Sequence, residues 1–100
     1  MMNEDVGMKR LAAGIYTQAI VDYVKYGIKL KHLSHGTKSW QYHKNMTDSC
    51  RTFIYSEWAE WLAEYAEIAV NADKLIKQLD KYIASHDKLT MGQFEREVNA

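Results

Sequence analysis

The residue types best suited to chemistry are two carboxylates spaced three apart, Glu57 and Glu60. That spacing places both on one face of a helix. A magnesium-dependent phosphohydrolase built on such a pair needs further carboxylates from another helix to hold the metal and its phosphate. The later aspartates, Asp73 and Asp80, have a valine and a lysine three positions before them, so the second pair is missing. The sequence therefore predicts no magnesium site of this kind.

A second set of potential ligands lies around the first turn: His32, His35, His43 and Cys50. Four such ligands could complete a zinc site in principle. The cysteine has no paired cysteine, however, and no Glu-x-x-His pair of a di-iron bundle occurs. We predict neither a metal nor another cofactor, and we interpret Cys50 as a small buried hydrophobe.

Sequence signatures of catalysis are also missing from the chain. It contains no Gly-rich phosphate loop, no nucleophile elbow around a serine and no H-E-x-x-H pattern. The sequence therefore predicts a protein that is not an enzyme.

The elements that carry these residues are predicted to be helical throughout, because the chain has no proline and only five glycines. Apolar spacings of three and four predict an all-α domain over 1–100 with two long antiparallel helices, a shorter third and a short C-terminal helix. The predicted ranges are 8–33, 38–69, 72–85 and 91–98. A fray or bend near Thr47-Asp48-Ser49 or at Ser56 is the alternative to one continuous second helix. Gly36 suits a left-handed helix end, while Thr37 or Ser39, and later Asn71 or Asp73, suit helix starts.

Composition and size bound the class of protein. One hundred residues, with 13 basic and 13 acidic side chains and one cysteine, indicate one soluble, cytoplasmic domain without a disulfide framework. No signal peptide or membrane segment is predicted. The first helix has a wider apolar stripe than a small bundle needs, which favours a homo-oligomer.

The charges are segregated along the chain. One interpretation places Lys74, Lys77 and Lys81 against the glutamates of the second helix, within the chain or across an oligomer interface. The other is that a basic stretch with Trp40 and Tyr42 binds nucleotides or single-stranded nucleic acid, by charge and by stacking on bases. The cations of that stretch are Lys25, Lys29, Lys38, Lys44 and Arg51.

The densest run of large aromatics lies between Phe53 and Leu62, where glutamates interleave with Trp58 and Trp61. Two tryptophans three apart are too large to share one narrow core seam. We therefore expect one to pack inside and the other, with Trp40 and Tyr42, to anchor a protein partner. The alternative is that all three tryptophans are core or oligomer contacts.

Two segments carry a resemblance to a known group. The stretches 15–31 and 51–62 resemble small, mostly uncharacterised bacteriophage and prophage proteins of Gram-positive bacteria, in which an A-I-x-x-Q-A-x-x-D-Y helix precedes an F-F-x-S-x-W-F element. The matching positions are Ile15, Gln18, Ala19, Asp22, Tyr23, Phe53, Ser56, Trp58 and Leu62. The chain departs from the group at Ile54 and Ala59, and it has Ala-Glu-Tyr-Ala-Glu where the group usually has a Thr-Asp turn.

This resemblance implies a phage accessory protein that acts in the host cytoplasm by binding. Inhibitors of host antiviral proteins are often drawn from that pool. The resemblance supplies no active site, so the function we expect is inhibition of a host protein through a binding surface.

Overall fold

The computed structural model describes the backbone of residues 2–98 and the side-chain surroundings of residues 6–94. Within those residues the fold is all-α, as predicted, and no strand occurs. The five helices are α1 (Met2–Lys31), α2 (Lys38–Ile54), α3 (Glu57–Tyr65), α4 (Ala72–Ser85) and α5 (Met91–Val98).

The long helix α1 is the centre of the packing. It contacts α2, α3 and α4, whereas α5 packs on α4. At 1.5 Å per residue α1 is about 45 Å long, and it accounts for most of the 51 Å longest dimension of the molecule. Its buried side chains meet those of the other helices in one core. The core residues are Tyr16, Tyr23, Val24, Ile28, Ile54, Ala59, Ala63, Leu75, Ile76, Leu79, Tyr82 and Phe94.

The turn between α1 and α2 confirms the predicted caps. Gly36 adopts a φ of 85°, the left-handed conformation that glycine tolerates without a Cβ penalty. Thr37 is the N-cap of α2, and its hydroxyl oxygen accepts a hydrogen bond from the backbone N–H of Trp40 at 3.1 Å. The same hydroxyl donates to the Ser34 carbonyl at 2.8 Å, which closes the turn.

The predicted second helix over 38–69 is two helices, with the break at Tyr55 and Ser56. The Ser56 hydroxyl donates to the carbonyl of Phe53 at 2.6 Å and accepts from the N–H of Ala59 at 3.1 Å. One side chain thus ends α2 and caps α3, so of the two predicted bend sites the one at Ser56 is confirmed. The other, near Thr47-Asp48-Ser49, is wrong, because α2 continues through it. The first helix also differs from its predicted range of 8–33, since it begins at Met2 and ends at Lys31.

The end of α3 uses a Schellman motif without glycine. The N–H of Ile68 bonds to the Ala63 carbonyl at 2.8 Å, and the N–H of Glu67 bonds to the Glu64 carbonyl at 3.0 Å. Glu67 therefore takes a φ of 61°. The helix ends before residue 69 because these bonds turn the chain toward α4, which Asn71 caps by accepting from the N–H of Lys74 at 3.0 Å. The ranges of α4 and α5 agree with the predicted 72–85 and 91–98.

Helices α1 and α4 cross closely at Gly27. A Cβ built there would lie 2.7 Å from the terminal Cδ1 of Ile83, so only glycine fits without a shift. Next to the crossing, the Lys31 ammonium donates to the carbonyls of Ile83 and His86 at the C-terminal end of α4. A cation bonded to the last carbonyls satisfies acceptors that the helix leaves open and opposes the negative end of its dipole.

Candidate functional site

The most distinctive surface is a stack of three aromatic rings along α3, which we call the aromatic ladder: Trp58, Trp61 and Tyr65. The Trp58 and Trp61 rings are stacked at 5.1 Å with 13° between their planes, and Trp61 stacks on Tyr65 at 5.4 Å and 21°. Trp58 is 59% exposed and Trp61 is 47% exposed. Two large indoles therefore lie side by side on the outside of the protein.

The ladder is exposed because other residues of α3 occupy the face toward α1. Ala59, Leu62 and Ala63 are buried there, and two alanines let the helix backbone approach its neighbour closely. The positions of Trp58 and Trp61 fall on one flank of that buried face, at helical spacing. Neither indole packs inside, so the expectation that one of them would do so is wrong. Of the alternative that all three tryptophans are core or oligomer contacts, core contacts do not hold for Trp58 and Trp61, and oligomer contacts stay a prediction.

The geometry of the ladder reduces the cost of binding a partner. Stacked rings hold each other in one arrangement, so fewer side-chain rotamers remain to be frozen on association. Tryptophan and tyrosine also supply the largest contact areas among side chains and dominate measured binding hot spots. The ladder thus has the composition and the order of a protein-binding anchor.

The glutamates of α3 lie on the opposite flank from the ladder and bind no neighbouring lysine of α4. Glu57 and Glu60 are exposed in the first turn, where carboxylates favour the positive end of the helix dipole. Glu67 pairs with Lys9 of α1 at 3.0 Å. Among the ion pairs within residues 6–94, none joins this flank to Lys74, Lys77 or Lys81, so the predicted pairing is not formed within the chain, and pairing across an oligomer interface stays a prediction.

The two other predicted anchors, Trp40 and Tyr42, lie at the start of α2 but on different sides of it, because residues two apart on a helix do not face each other. Trp40 is half-buried and its ring lies 4.6 Å from that of His35, while Tyr42 meets Tyr26 edge to face at 6.2 Å. The rise of α2 places both about 20 Å from the start of α3. The four anchors predicted from the sequence thus do not form one surface.

The five predicted phosphate-binding cations are also divided. Lys44 pairs with Asp48 at 2.7 Å, and Arg51 lies 3.9 Å from Asp80 and over the ring of Tyr55. Lys38 is exposed at the start of α2. Lys25 and Lys29 line a cavity at the far end of α1. The structure therefore brings together only two of the five and neutralises two others.

A network that the sequence did not indicate links α1, α2 and α4. The buried Tyr23 hydroxyl donates to the Asp80 carboxylate at 2.5 Å, and Arg51 lies on the other oxygen of that carboxylate. Burial and then the hydrogen bond to Asp80 raise the pKa of Tyr23 well above its ordinary value. No local pattern marks these three residues, because each comes from a different helix. Their role is to join the helices that cover the second half of α1.

An apolar groove runs between the first half of α1 and the end of α2, with a volume of about 610 Å³. Leu11 and Ile15 lie at its edge, 58% and 43% exposed, and Phe53 and Cys50 lie on its α2 side. Burial, and next the charge of Asp22, raise the pKa of the Cys50 thiol, which makes the thiolate scarcer. Cys50 is half-buried and behaves as a small apolar side chain of the groove.

The histidines predicted as potential ligands do not meet. His32 lies 3.6 Å from Asp87, His35 packs on Trp40, and His43 donates its Nδ1–H to the Ser39 carbonyl at 2.8 Å. Over residues 6–94, no three side chains of the histidine, cysteine, aspartate and glutamate types stand close enough to share a metal ion.

Two further findings bear on what kind of protein this is. None of the described helices combines the length and the apolar character that a membrane crossing requires. Comparison of the chain with protein-family models, with curated proteins and with solved structures found no match in any of the three.

Proposed function

We propose that this chain is a non-enzymatic phage accessory protein that binds and inhibits a host antiviral protein in the host cytoplasm. The observation that carries the binding role is the exposed, stacked pair of Trp58 and Trp61. The resemblance of residues 15–31 and 51–62 to phage proteins supports the biological setting. The aromatic ladder is the anchor of the proposed interface.

The exposed indoles of Trp58 and Trp61 leave apolar surface in contact with water. Transfer of apolar surface from water yields roughly 25 cal/mol per Å², and a large aromatic side chain can bury well over 100 Å². Two adjacent indoles thus offer several kcal/mol that folding of this chain does not use. Large exposed apolar patches on small proteins are usually sites of association.

The exposed apolar row of α1 extends the proposed interface. The Lys9–Glu67 pair ties the end of α3 to the first half of α1, so the ladder and that row belong to the same end of the molecule. Met8, Leu11 and Ile15 follow one another on the row at helical spacing and are all exposed. This row is therefore a second exposed apolar surface at the same end of the molecule, and we propose it as a further contact of the partner.

A double variant, Trp58→Ser with Trp61→Ser, tests the proposal against the matched control Met91→Ser, which removes an exposed hydrophobe from the distant α5. In a bacterium with an active antiviral system, expression of the native chain should restore phage plating. The Met91→Ser chain should do so equally, and the double variant should not. Circular dichroism and thermal melting of the double variant should match the native chain, because both indoles are on the surface.

Retention of full inhibition by the folded double variant would overturn the ladder as the anchor. Failure of the native chain to restore plating against a panel of antiviral systems would overturn the inhibitory role. A second copy of this chain is the other candidate occupant of the same surface. Light scattering at micromolar concentration tests the homo-oligomer, which should dissociate in the double variant.

Binding of nucleotides or single-stranded nucleic acid is less well supported by the geometry. That function needs cations gathered beside stacking rings. Lys44 and Arg51 are already paired with aspartates, and Lys25 and Lys29 lie elsewhere. A steep loss of partner binding with rising salt would favour this alternative over an apolar protein interface.

A further inference from the structure

A second, smaller cavity lies where the C-terminal end of α1 meets the connection between α4 and α5. Its volume is about 300 Å³, at the lower end of the range for small-molecule sites. It shares no residue with the aromatic ladder or the apolar groove. The residues around it are Lys25, Ile28, Lys29, His32, Leu33, Asp87, Lys88 and Leu89.

The lining of this cavity has two chemically distinct parts. Three lysines stand on its rim: Lys25 and Lys29, one turn apart on α1, and Lys88 from the connection. The apolar part consists of Ile28, which is buried, with Leu33 and Leu89, which are half-buried. The lysines therefore attract anions, and the three aliphatic side chains favour apolar groups.

The acidic and titratable groups at the rim leave the positive charge in excess. Asp87 is the one carboxylate in the lining, and its Oδ1 lies 3.6 Å from the Nε2 of His32. Three lysines thus face a single carboxylate that is turned toward a histidine.

The connection that lines the cavity follows α4, and the end of α4 is fixed to α1 before any ligand arrives. Lys31 donates from α1 to the carbonyls of Ile83 and His86. The His86 ring stacks on Tyr82 at 3.9 Å, and its Nδ1–H donates to the Tyr82 carbonyl at 2.9 Å. These contacts hold the start of the connection in place, so less ordering is needed when a ligand binds.

We infer that this cavity binds a small amphiphilic anion, with an acidic head group on the three lysines and a compact apolar body on Ile28, Leu33 and Leu89. A free inorganic anion would gain little from exposed lysines, because water and salt screen such contacts. An uncharged apolar molecule would lack the contacts that orient it. A carboxylate or phosphate ester with a short apolar chain contacts both the lysines and the aliphatic side chains of the lining.

Titration of the native chain with octanoate, followed by NMR shifts of His32 and Lys29, tests this inference. Octanoate should saturate these shifts, whereas octanol and inorganic phosphate should each bind at least about tenfold more weakly, a difference near 1.4 kcal/mol. Hexyl phosphate distinguishes the two head groups, and the tighter of the two acids identifies which one the lysines prefer. Equal binding of octanol or of inorganic phosphate would overturn the amphiphilic ligand, as would no saturable shift with either acid.

Substitution of single lysines at the rim distinguishes binding in the cavity from a general effect of the protein's charge. Lys29→Gln and Lys88→Gln should each weaken octanoate binding several-fold and reduce its salt dependence. Lys77→Gln, which removes the same charge from an exposed position of α4 outside the cavity, should leave binding unchanged. An equal loss in Lys77→Gln would overturn the site. Both outcomes are independent of the proposed inhibition, which the Trp58 and Trp61 variant tests.

Discussion

The two halves of α1 have similar apolar spacing but differ in how far their hydrophobic side chains are buried. In the second half Tyr23, Val24 and Ile28 are buried, whereas in the first half the exposed hydrophobes include Leu11 and Ile15. The difference follows from length. Helix α2 begins beside the C-terminal end of α1 and is about 25 Å long, so it covers little more than half of a 45 Å helix.

The contacts of α4 described above also fall on the second half of α1, which increases the difference in burial between the two halves. Ile83 meets Gly27, Asp80 meets Tyr23, and Lys31 caps the end of α4. The first half is met by the end of α2 and by the short α3, which turns its tryptophans outward. Stability is therefore concentrated in one half of the molecule, and the exposed apolar surface proposed for a protein partner lies in the other half.

The largest expected effect comes from truncating one isoleucine in each half. Ile28→Ala should lower the free energy of unfolding by about 2–5 kcal/mol, because it leaves a cavity in the core. Ile15→Ala, at a position 43% exposed, should cost less than about 1 kcal/mol. Thermal unfolding checks the pair, with a drop of at least about 10 °C expected for Ile28→Ala alone. Equal costs would show that the first half of α1 is covered in solution.

The next effect concerns the polar link in the covered half. Tyr23→Phe should cost about 1 kcal/mol, because it removes the hydrogen bond to Asp80 while the ring stays buried. The raised pKa of Tyr23 also predicts a pH dependence. The folded state keeps the phenol proton to higher pH than the unfolded state, so this contribution is complete below about pH 10 and is lost as the pH rises above it.

Denaturant melts between pH 9 and 11 check this sign. The native chain should lose stability above pH 10 by up to about 1.4 kcal/mol per pH unit more steeply than Tyr23→Phe. Parallel pH curves for the two proteins would show that Tyr23 titrates normally.

A smaller effect distinguishes two of the three glycines of α1, Gly14 in its first half and Gly27 in its second half. Gly14 has no neighbour within 4 Å of an added Cβ, so Gly14→Ala should stabilise the protein by about 0.5–1 kcal/mol through helix propensity. At Gly27 the same gain is opposed by the clash with Ile83. Gly27→Ala should stabilise only in a chain that also carries Ile83→Ala.

A double-mutant cycle of Gly27→Ala and Ile83→Ala measures that coupling directly, with about 1 kcal/mol expected. Additive effects of the two substitutions would mean that α4 does not approach Gly27 this closely.

The smallest expected effect lies at the end of α3, which sets how far the first half of α1 is covered. Glu67→Gly relieves the strain of the left-handed backbone conformation at this position, but it loses the exposed ion pair with Lys9. Relief of the strain is worth about 1 kcal/mol, and loss of the ion pair costs a few tenths of a kcal/mol. The free energy of unfolding should therefore rise by roughly half a kcal/mol. Glu67→Ala, which keeps the strain and loses the pair, is the control and should destabilise.

Much of the local structure is predictable from short stretches of sequence, because its causes are local. The absence of proline, the caps at Thr37 and Asn71 and the left-handed Gly36 act within a few residues of themselves. The sequence signal for the break at Ser56 is weaker, because a single serine is compatible with either a helix cap or a continuing helix. The Schellman end at Glu67 has no sequence signal, because a glutamate stands where glycine is usual.

The candidate site was predictable in composition but not in arrangement. Trp58 and Trp61 were identified as contact residues from size and spacing, yet their outward orientation depends on Ala59 and Ala63 packing against α1. Lys25 and Lys29 were identified as cations, but only the fold adds Lys88 to them. Pairing of Arg51 with Asp80 likewise needs α2 and α4 to meet.

The sequence by itself determined an all-α chain, the positions of most helix ends and the residue types available for binding, because helix propensity and capping are local interactions. The tertiary structure alone decided which half of α1 is covered, which flank of α3 faces solvent and which charges are neutralised. Those outcomes depend on the relative lengths and crossing points of helices far apart in the chain, and no local pattern contains that information.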